Sequence, residues 1–438
     1  MKTFLAALTL LLTCRSAAQL SGQNPVTHPP GIVDTIFVSG NAKTKDYVIL
    51  NEMTLKPGMQ ATPEAIEFDR NRIYSLGLFT HVDIFYDSVG TIRYLFVDVR
   101  ERWYLIPFPI FGFRDGDPKR AFYGAGLLHN NLGGRNQKLY ASLTLGYDPS
   151  ASLSFIDPLL DRTERLYGAA SVSFTRARNK SERESALTGE YNEEHFGISA
   201  TLGKRLSLYQ TASLMLAYRS VSVPNYSPGR TVSTDGNDKF IAATLMYTYD
   251  SRDLFEYASQ GILTALSVTQ NGFAAHSVCY TRYAADVRGY LPLLPRTTLA
   301  ARLFGTFVTG GEVPTYGHAY FGYGDRIRGY YHDVTEGEQQ VLASTELRFS
   351  LLPPRTIAVT GLPLPEEFTI WRFGVSLALF ADVGATWYRT EPIGVRDFMA
   401  GTGGGIHFLL PYSFVARLEY AWNNSHATEW ILGLRGAI

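Results

Sequence analysis

The chain is predicted to be mainly β: a small β-α-α-β-β unit followed by a sixteen-stranded antiparallel barrel of the kind that crosses a membrane. Three observations lead there. Segments of strict apolar/polar alternation recur from residue 107 to residue 438, the period of a strand whose two faces meet different surroundings. Aromatic residues and glycine are abundant, with 27 Tyr, 26 Phe and 40 Gly, as aromatic girdles, tight turns and a crowded lumen require. No apolar run reaches the roughly 18 residues of a membrane helix, so an integral protein of this composition has to cross by strands.

The N-terminus reads as an export signal over residues 1–18: Lys2 carries the positive charge, Phe4 to Leu12 form the apolar stretch and Ser16-Ala17-Ala18 offers a small-residue cleavage site. A lipid anchor at Cys14 fits poorly, because Thr13 and Arg15 flank it. The other cysteine is Cys279, so the mature chain is expected to have no internal disulfide. Residues 19–31 contain Pro25, Pro29 and Pro30 and read as an extended linker.

Residues 32–102 form the small unit. Ile32, Ile36 and Val38 suggest a strand, and Gly40-Asn41 a turn. Thr44 is placed to cap a first helix, which ends before Lys56-Pro57-Gly58. A second helix starts at Thr62-Pro63-Glu64 with proline in its first turn and ends at Gly77. Val82–Tyr86 and Ile92–Val99 follow as strands. The element order, with Gly40-Asn41, Gly58, Arg72-Ile73-Tyr74 and Leu76-Gly77-Leu78-Phe79, resembles a POTRA domain.

Residues 107–438 divide into sixteen candidate strands beginning near 107, 122, 138, 151, 166, 190, 206, 239, 261, 280, 297, 340, 371, 401, 412 and 429. That is about 21 residues for each strand with its connection, the spacing of a barrel with strands of roughly ten residues. After residue 340, Ala343, Thr345, Leu347, Phe349 and Leu351 share one face and Ser344, Glu346, Arg348 and Ser350 the other. Near the end, Phe414, Ala416, Leu418, Tyr420 and Trp422 oppose Arg417 and Glu419. Charges of both signs recurring on one face suit a wet lumen, although a soluble sandwich also alternates.

Chemistry-bearing motifs are absent. No H-E-x-x-H or G-x-S-x-G occurs, Gly403-Gly404-Gly405 lacks the Lys-Ser/Thr of a phosphate loop, and the nine histidines are scattered. The reading is therefore a non-enzyme without cofactor or metal. Lys+Arg and Asp+Glu both number 40, and this balance carries no sign of a nucleic-acid partner.

Two motifs carry the functional reading. Arg326-Ile327-Arg328-Gly329-Tyr330 lies in a polar loop from Gly310 to Gln339, and Phe380-Ala381-Asp382-Val383-Gly384 ends an alternating segment. Together they resemble the paired motifs of BamA/TamA-type outer-membrane barrels, the bacterial surface antigen family. The resemblance implies that the loop folds back into the lumen and that Arg328 meets Asp382 on the wall. Asp382 shares its face with Ser376, Phe380 and Gly384, and the opposite face is apolar. Gly329 would allow a tight turn, and Tyr330 and Tyr331 would stack on the wall. Tyr249-Asp250-Ser251-Arg252-Asp253, followed by Gly261, resembles the family where a strand meets a periplasmic turn.

The resemblance implies an outer-membrane factor for protein insertion or translocation, with its POTRA domain in the periplasm. Its expected partners are unfolded or extended client proteins, outer-membrane lipids and periplasmic or lipoprotein assembly partners. Clients would add to a POTRA sheet edge and act at the seam between first and last strands, where Gly433 and Gly436 lack side chains. The alternatives are a two-partner-type secretion pore or a plain porin. The chain departs from the family in holding one POTRA unit and in ending Gly433-Leu434-Arg435-Gly436-Ala437-Ile438 without a terminal aromatic. Strand parity puts three long connections (Ala177 to Gly189, Ser222 to Asp238 and Gly310 to Gln339) on the extracellular side. It makes the proline-rich segment Leu352 to Thr369 an unusually long periplasmic turn.

Overall fold

The computed structural model describes residues 31–89, 91–113, 120–273, 277–358, 370–410, 414–434 and 438. The expected export signal, nearly all of the linker and Gly436 lie outside them.

In the N-terminal unit, β1 (Thr35–Ser39) pairs in parallel with β3 (Ile92–Glu101), and β2 (Phe79–Val89) pairs antiparallel on the other side of β3. Two helices, α1 (Asp46–Leu50) and α2 (Pro63–Ser75), cover one face of this sheet. Ile49, Ile73, Leu78, Phe79, Leu95 and Val97 are buried between the layers. Pro63 opens α2, and the Thr62 side chain accepts a hydrogen bond from the Ala65 N–H at 3.2 Å. Fixed φ and a side-chain acceptor are what a helix start requires. Gly77, at φ +72°, follows the end of α2.

Thr44 does not cap α1. The cap position is Lys45, which makes no side-chain cap bond. Instead the Thr44 Oγ1 donates to Glu101 Oε1 at 2.7 Å and accepts from Asn131 Nδ2 at 2.9 Å. Its hydroxyl ties the small unit to the barrel, and a helix of five residues forms without it.

The barrel strands run in chain order. They are β4 (Leu105–Phe113), β5 (Ala121–Leu132), β6 (Gln137–Gly146), β7 (Ser150–Asp161), β8 (Leu166–Arg178), β9 (Asn192–Arg205), β10 (Gln210–Ser222) and β11 (Asn237–Asp250). Then follow β12 (Gly261–Asn271), β13 (Tyr280–Leu294), β14 (Thr297–Gly310), β17 (Gln339–Ala358), β18 (Ile370–Trp387), β19 (Met399–Leu410), β20 (Phe414–Asn423) and β21 (Thr428–Gly433). Each pairs antiparallel with its neighbour, making one sixteen-stranded sheet. Among the described residues β4 and β21 share no ladder, so the sheet is not closed.

The alternation places side chains as the barrel reading expects. On β18, Ser376, Phe380 and Asp382 are buried inside, while Leu377, Leu379 and Val383 are exposed outside. On β20, Arg417 and Glu419 face in and Leu418 and Trp422 face out.

The two sequential elements β15 (Ala319–Phe321) and β16 (Thr335–Gly337) form a small hairpin inside the 310–339 loop. A further helix, α3 (Glu182–Thr188), lies in the connection between β8 and β9, its N–H of Glu184 capped by Ser181 Oγ. Alternation in the flanking strands carried no trace of it.

The segment after residue 351 is not a bare turn. β17 and β18 continue to Ala358 and from Ile370 as a hairpin that outruns their outer neighbours, whose ladders end at Phe349 and Gly374. The Arg372 guanidinium of this extension lies 4.6 Å over the Tyr74 ring and donates to Asn71 Oδ1 at 3.3 Å, so the extension meets α2 of the small unit. Bulges between Ser350 and Arg355, at Pro353-Pro354, interrupt the alternation that would have revealed it.

Candidate functional site: a loop anchored in the barrel lumen

Residues 322–334 descend from the β15/β16 hairpin into the barrel. Ile327 is fully buried against Phe321 and Leu342. This places Arg328 deep in the lumen at 3% exposure. Its Nε and Nη2 lie 2.8 Å from Oδ2 and Oδ1 of Asp382, and its backbone N–H donates to the same carboxylate at 3.1 Å. The guanidinium also stands 3.8 Å over the Phe380 ring. Planar two-point pairing plus ring stacking is geometry that Arg provides and Lys does not.

Asp382 is one of several partners. Arg328 Nη1 donates to Glu346 Oε2 on β17 at 2.6 Å and to Glu419 Oε1 on β20 at 3.1 Å. Arg348 Nε meets the other Glu346 oxygen at 2.5 Å, and Arg417 Nη1 meets the other Glu419 oxygen at 2.7 Å. The cluster thus sets three guanidiniums against three carboxylates, all buried. Paired charges with satisfied oxygens are the form in which a dry interior holds ions.

His407 completes the cluster, with Nε2 at 3.2 Å from Glu419 and Nδ1 at 3.0 Å from the Tyr257 hydroxyl. Glu346, His407 and Glu419 each bring a ligand atom within 4.8 Å of the others, close enough to consider a metal. Their carboxylate oxygens are already taken by Arg328, Arg348 and Arg417, so a cation there would face three positive charges. The set reads as an ionic staple rather than a metal centre.

Gly329 and Gly401 let the loop approach. Gly329 has φ +101°, a conformation that favours glycine. A Cβ at Gly401 would stand 1.7 Å from the Arg328 carbonyl oxygen. The loop backbone is then tied to the last two strands. Asn423 Nδ2 donates to Gly329 O at 2.8 Å, and Glu429 Oε1 accepts from the N–H groups of Gly329 and Tyr331 at 2.8 and 2.9 Å. Tyr331 packs beside Phe380 and Ile431, and Tyr330 bonds Asn424 with its hydroxyl.

Arg326 stays out of the ion network. It donates to the carbonyls of Tyr323 and Tyr331 and lies 4.2 Å over the Tyr331 ring. Gly384 is buried beside the loop, where a Cβ would meet Ile327 and Phe321 at about 3 Å. Gly433 faces Arg417, whose Nη2 would lie 2.6 Å from an added Cβ, a contact that the end of this flexible side chain can relieve by moving.

Glu346, Arg348, Arg417 and Glu419 stood out in the sequence only as inward charges at period two. Nothing there assigned them to Arg328, and Glu429 and His407 gave no signal.

Beneath the barrel, the motif around Asp250 receives the small unit. Arg72 of α2 donates to the carbonyls of Asp250 and Leu208 and to Glu52 Oε2 at 3.0 Å. Glu52 in turn accepts from Arg205 of β9 at 2.6 Å. Leu254, from the turn before β12, packs into the core of the small unit. Gly40 and Asn41 turn the chain after β1, and Asn41 Nδ2 donates to Asp46 Oδ1 at 2.7 Å. Gly58 turns beside Val33, where its N–H donates to the Val33 carbonyl.

A sixteen-stranded sheet with an apolar outside, a charged inside anchored to its own loop and a small domain docked below is the architecture of an outer-membrane barrel. The Omp85 superfamily domain matches residues 131–430, and the surface antigen variable number repeat, a POTRA unit, matches residues 32–102. The chain belongs to the Omp85 superfamily, residing in the outer membrane with its POTRA domain in the periplasm. BamA from Haemophilus ducreyi lacking POTRA domains 1–3 shares the fold at TM-score 0.54 and 16% identity, covering 92% of this chain and 83% of that one. CdiB from Acinetobacter baumannii shares it at TM-score 0.51 and 13% identity, covering 92% and 73%. No curated protein matches the chain.

Proposed function

We propose that this protein inserts client proteins into the outer membrane through the seam between β4 and β21. The observation that carries the proposal is the unpaired seam: β21 pairs only with β20 and β4 only with β5 among the described residues. Free strand edges present backbone donors and acceptors that template another strand. In this reading an extended client first adds to β2 of the POTRA sheet, whose outer edge is free of any ladder among the described residues. It then moves to the seam. The protein makes and breaks no covalent bond, and outer-membrane lipids and periplasmic assembly partners support it.

Two contacts favour the seam over the lumen as the route. The 310–339 loop fills the lumen from the extracellular side, held at Arg328. The POTRA domain is fastened below by Arg72, Glu52 and Arg205. Passage through the lumen requires both to leave, whereas a seam route leaves both in place. Glu429 links the loop directly to β21, so the loop holds the strand that forms one side of the seam.

The test is a set of cysteine pairs between Phe108–Phe113 and Trp430–Leu434, in a Cys279→Ser background. Disulfides form where Cα atoms come within about 7 Å. Bridging the seam is expected to stop client assembly, with recovery on reduction. If bridged barrels assemble clients at the normal rate, the seam mechanism is wrong; if they also still export a soluble partner, a secretion pore takes its place.

A further inference from the structure

The two faces of the POTRA sheet differ. One packs on α1 and α2, and these helices meet the barrel through Arg72 and through Tyr47, whose ring lies 4.9 Å from the Arg162 guanidinium. The other face therefore points away from the barrel into the periplasm. A soluble domain would be expected to make such a face polar. Here it carries a row of aromatic rings across all three strands.

Phe37 on β1, Phe96 on β3 and Phe85 on β2 stand side by side in register. Their ring centroids lie 5.8 and 5.2 Å apart, nearly parallel in both pairs. Tyr94 adds a fourth ring, 5.6 Å from Phe37 and 5.9 Å from Phe96. Phe37 is 49% exposed and Phe85 42%. The row serves no core, because the buried residues of these strands all point to the helices. A contiguous exposed apolar patch on a domain held out in solvent marks an interaction surface.

The surroundings say what kind of partner fits. Asp87 and Tyr94 are cross-strand neighbours beside the row, and Asp83 and Asp98 are neighbours on its other side. Asp83 and Asp87 are exposed, and Asp98 accepts a hydrogen bond from Ser39. Ring faces carry negative quadrupole charge, and flanking carboxylates reinforce it. Arg100, opposite His81 and two residues past Asp98 on the same strand, is exposed at one end of this face, and Asp83, Asp87 and Asp98 outweigh it, which disfavours an anionic membrane surface. A chain with Lys or Arg among apolar residues would stack its rings and aliphatic stems on the row and set its cations beside the carboxylates. The linker at residues 19–30 contains no Lys or Arg and does not match this chemistry.

We propose that the outer face of the POTRA sheet is a docking surface for a basic, aromatic-containing segment of a partner protein, recognised by side-chain stacking rather than by strand addition. The site is separate from the seam and stands whether or not clients leave laterally.

The full chain in nanodiscs of zwitterionic lipid provides the test. The probe is a fluorescein-labelled peptide alternating Lys and Phe, compared with the same peptide carrying Glu for Lys, and binding is read by anisotropy. The Lys peptide is expected to bind saturably and the Glu peptide not. Phe37→Ser with Phe85→Ser should weaken binding by about tenfold or more. Asp83→Asn with Asp87→Asn should weaken it less and flatten its salt dependence. Both double variants change exposed side chains, and limited proteolysis of the POTRA domain, compared with the unaltered chain, confirms that each is folded. N-methylation of alternate peptide amides, which blocks strand addition, should leave the affinity unchanged. Equal binding of the Glu peptide, unchanged affinity in both double variants, or loss of binding on N-methylation would each overturn the proposal.

Discussion

Arg328 and Asp382 meet at two points, Nε to Oδ2 and Nη2 to Oδ1, both at 2.8 Å, although they lie 54 positions apart in the chain. The pair joins an extracellular loop to the barrel wall, and both residues are nearly free of solvent. Around it, Glu346 and Glu419 bring two more strands to the same guanidinium. One side chain thus holds β17, β18 and β20 together from inside.

Arg328→Ala leaves three carboxylates short of a cation, and breaking such a buried set by removing one partner costs about 3–5 kcal/mol. The loop should become cleavable by external protease, and the temperature at which the folded band disappears on a gel should fall. Arg328→Lys should recover little, since a single ammonium cannot make the paired contact. Arg326→Ala, which removes bonds to two carbonyls only, should change both readouts much less. Equal effects at the two positions would refute the assignment of the anchor to Arg328.

Gly401→Ala should act on the loop without touching a charge. The added methyl falls where the Arg328 carbonyl lies, so the loop must lift or β19 must bend. Overpacking of this kind costs about 1–3 kcal/mol. The expected result is a folded barrel with a protease-sensitive loop; a loop as resistant as the unaltered one would mean that the close approach is not tight.

Glu429→Gln removes a charged acceptor from the Gly329 and Tyr331 N–H groups while keeping the side chain's shape. Hydrogen bonds to charged groups contribute about 1.5–3 kcal/mol. Amide exchange in β21, followed by mass spectrometry, should speed up while β11 and β12, on the opposite part of the sheet, stay as before. Unchanged exchange in β21 would remove the loop from any role at the seam.

Glu52→Gln should loosen the POTRA domain from the barrel, because this carboxylate holds both Arg72 and Arg205. Nitroxides on cysteines replacing Asp87 and Glu164, after Cys279→Ser, report the separation by electron–electron resonance. The variant should give a broader distance distribution. An equally narrow one would show that Leu254 and the Asn131–Thr44 bond suffice to hold the domain.

The strand pattern was legible in the sequence because it depends on a local property. Side chains alternate between lipid and lumen wherever a strand crosses, so β12, β13 and β14 begin at the expected residues 261, 280 and 297. The inward facing of Asp382 followed from the same period. The cap at Thr62 and Pro63 is equally local, since it needs only the next few residues.

What only the tertiary structure decided is where distant segments meet. Glu346, Glu419 and Glu429 lie 18, 91 and 100 residues from the loop positions they bond, and curvature of the sheet brings them to one place. Thr44 has the residue type of a cap, yet Glu101 and Asn131 compete successfully for its hydroxyl. The hairpin beyond residue 350 was hidden because prolines and bulges break the alternation where lumen and lipid no longer set it. That β4 and β21 share no ladder among the described residues could not be read from the sequence, where Gly433 and Gly436 marked only missing side chains in the last strand. Pairing between β4 and β21 joins backbone to backbone, and whether those edges meet depends on the closure of the whole sheet rather than on any side-chain pattern within either strand.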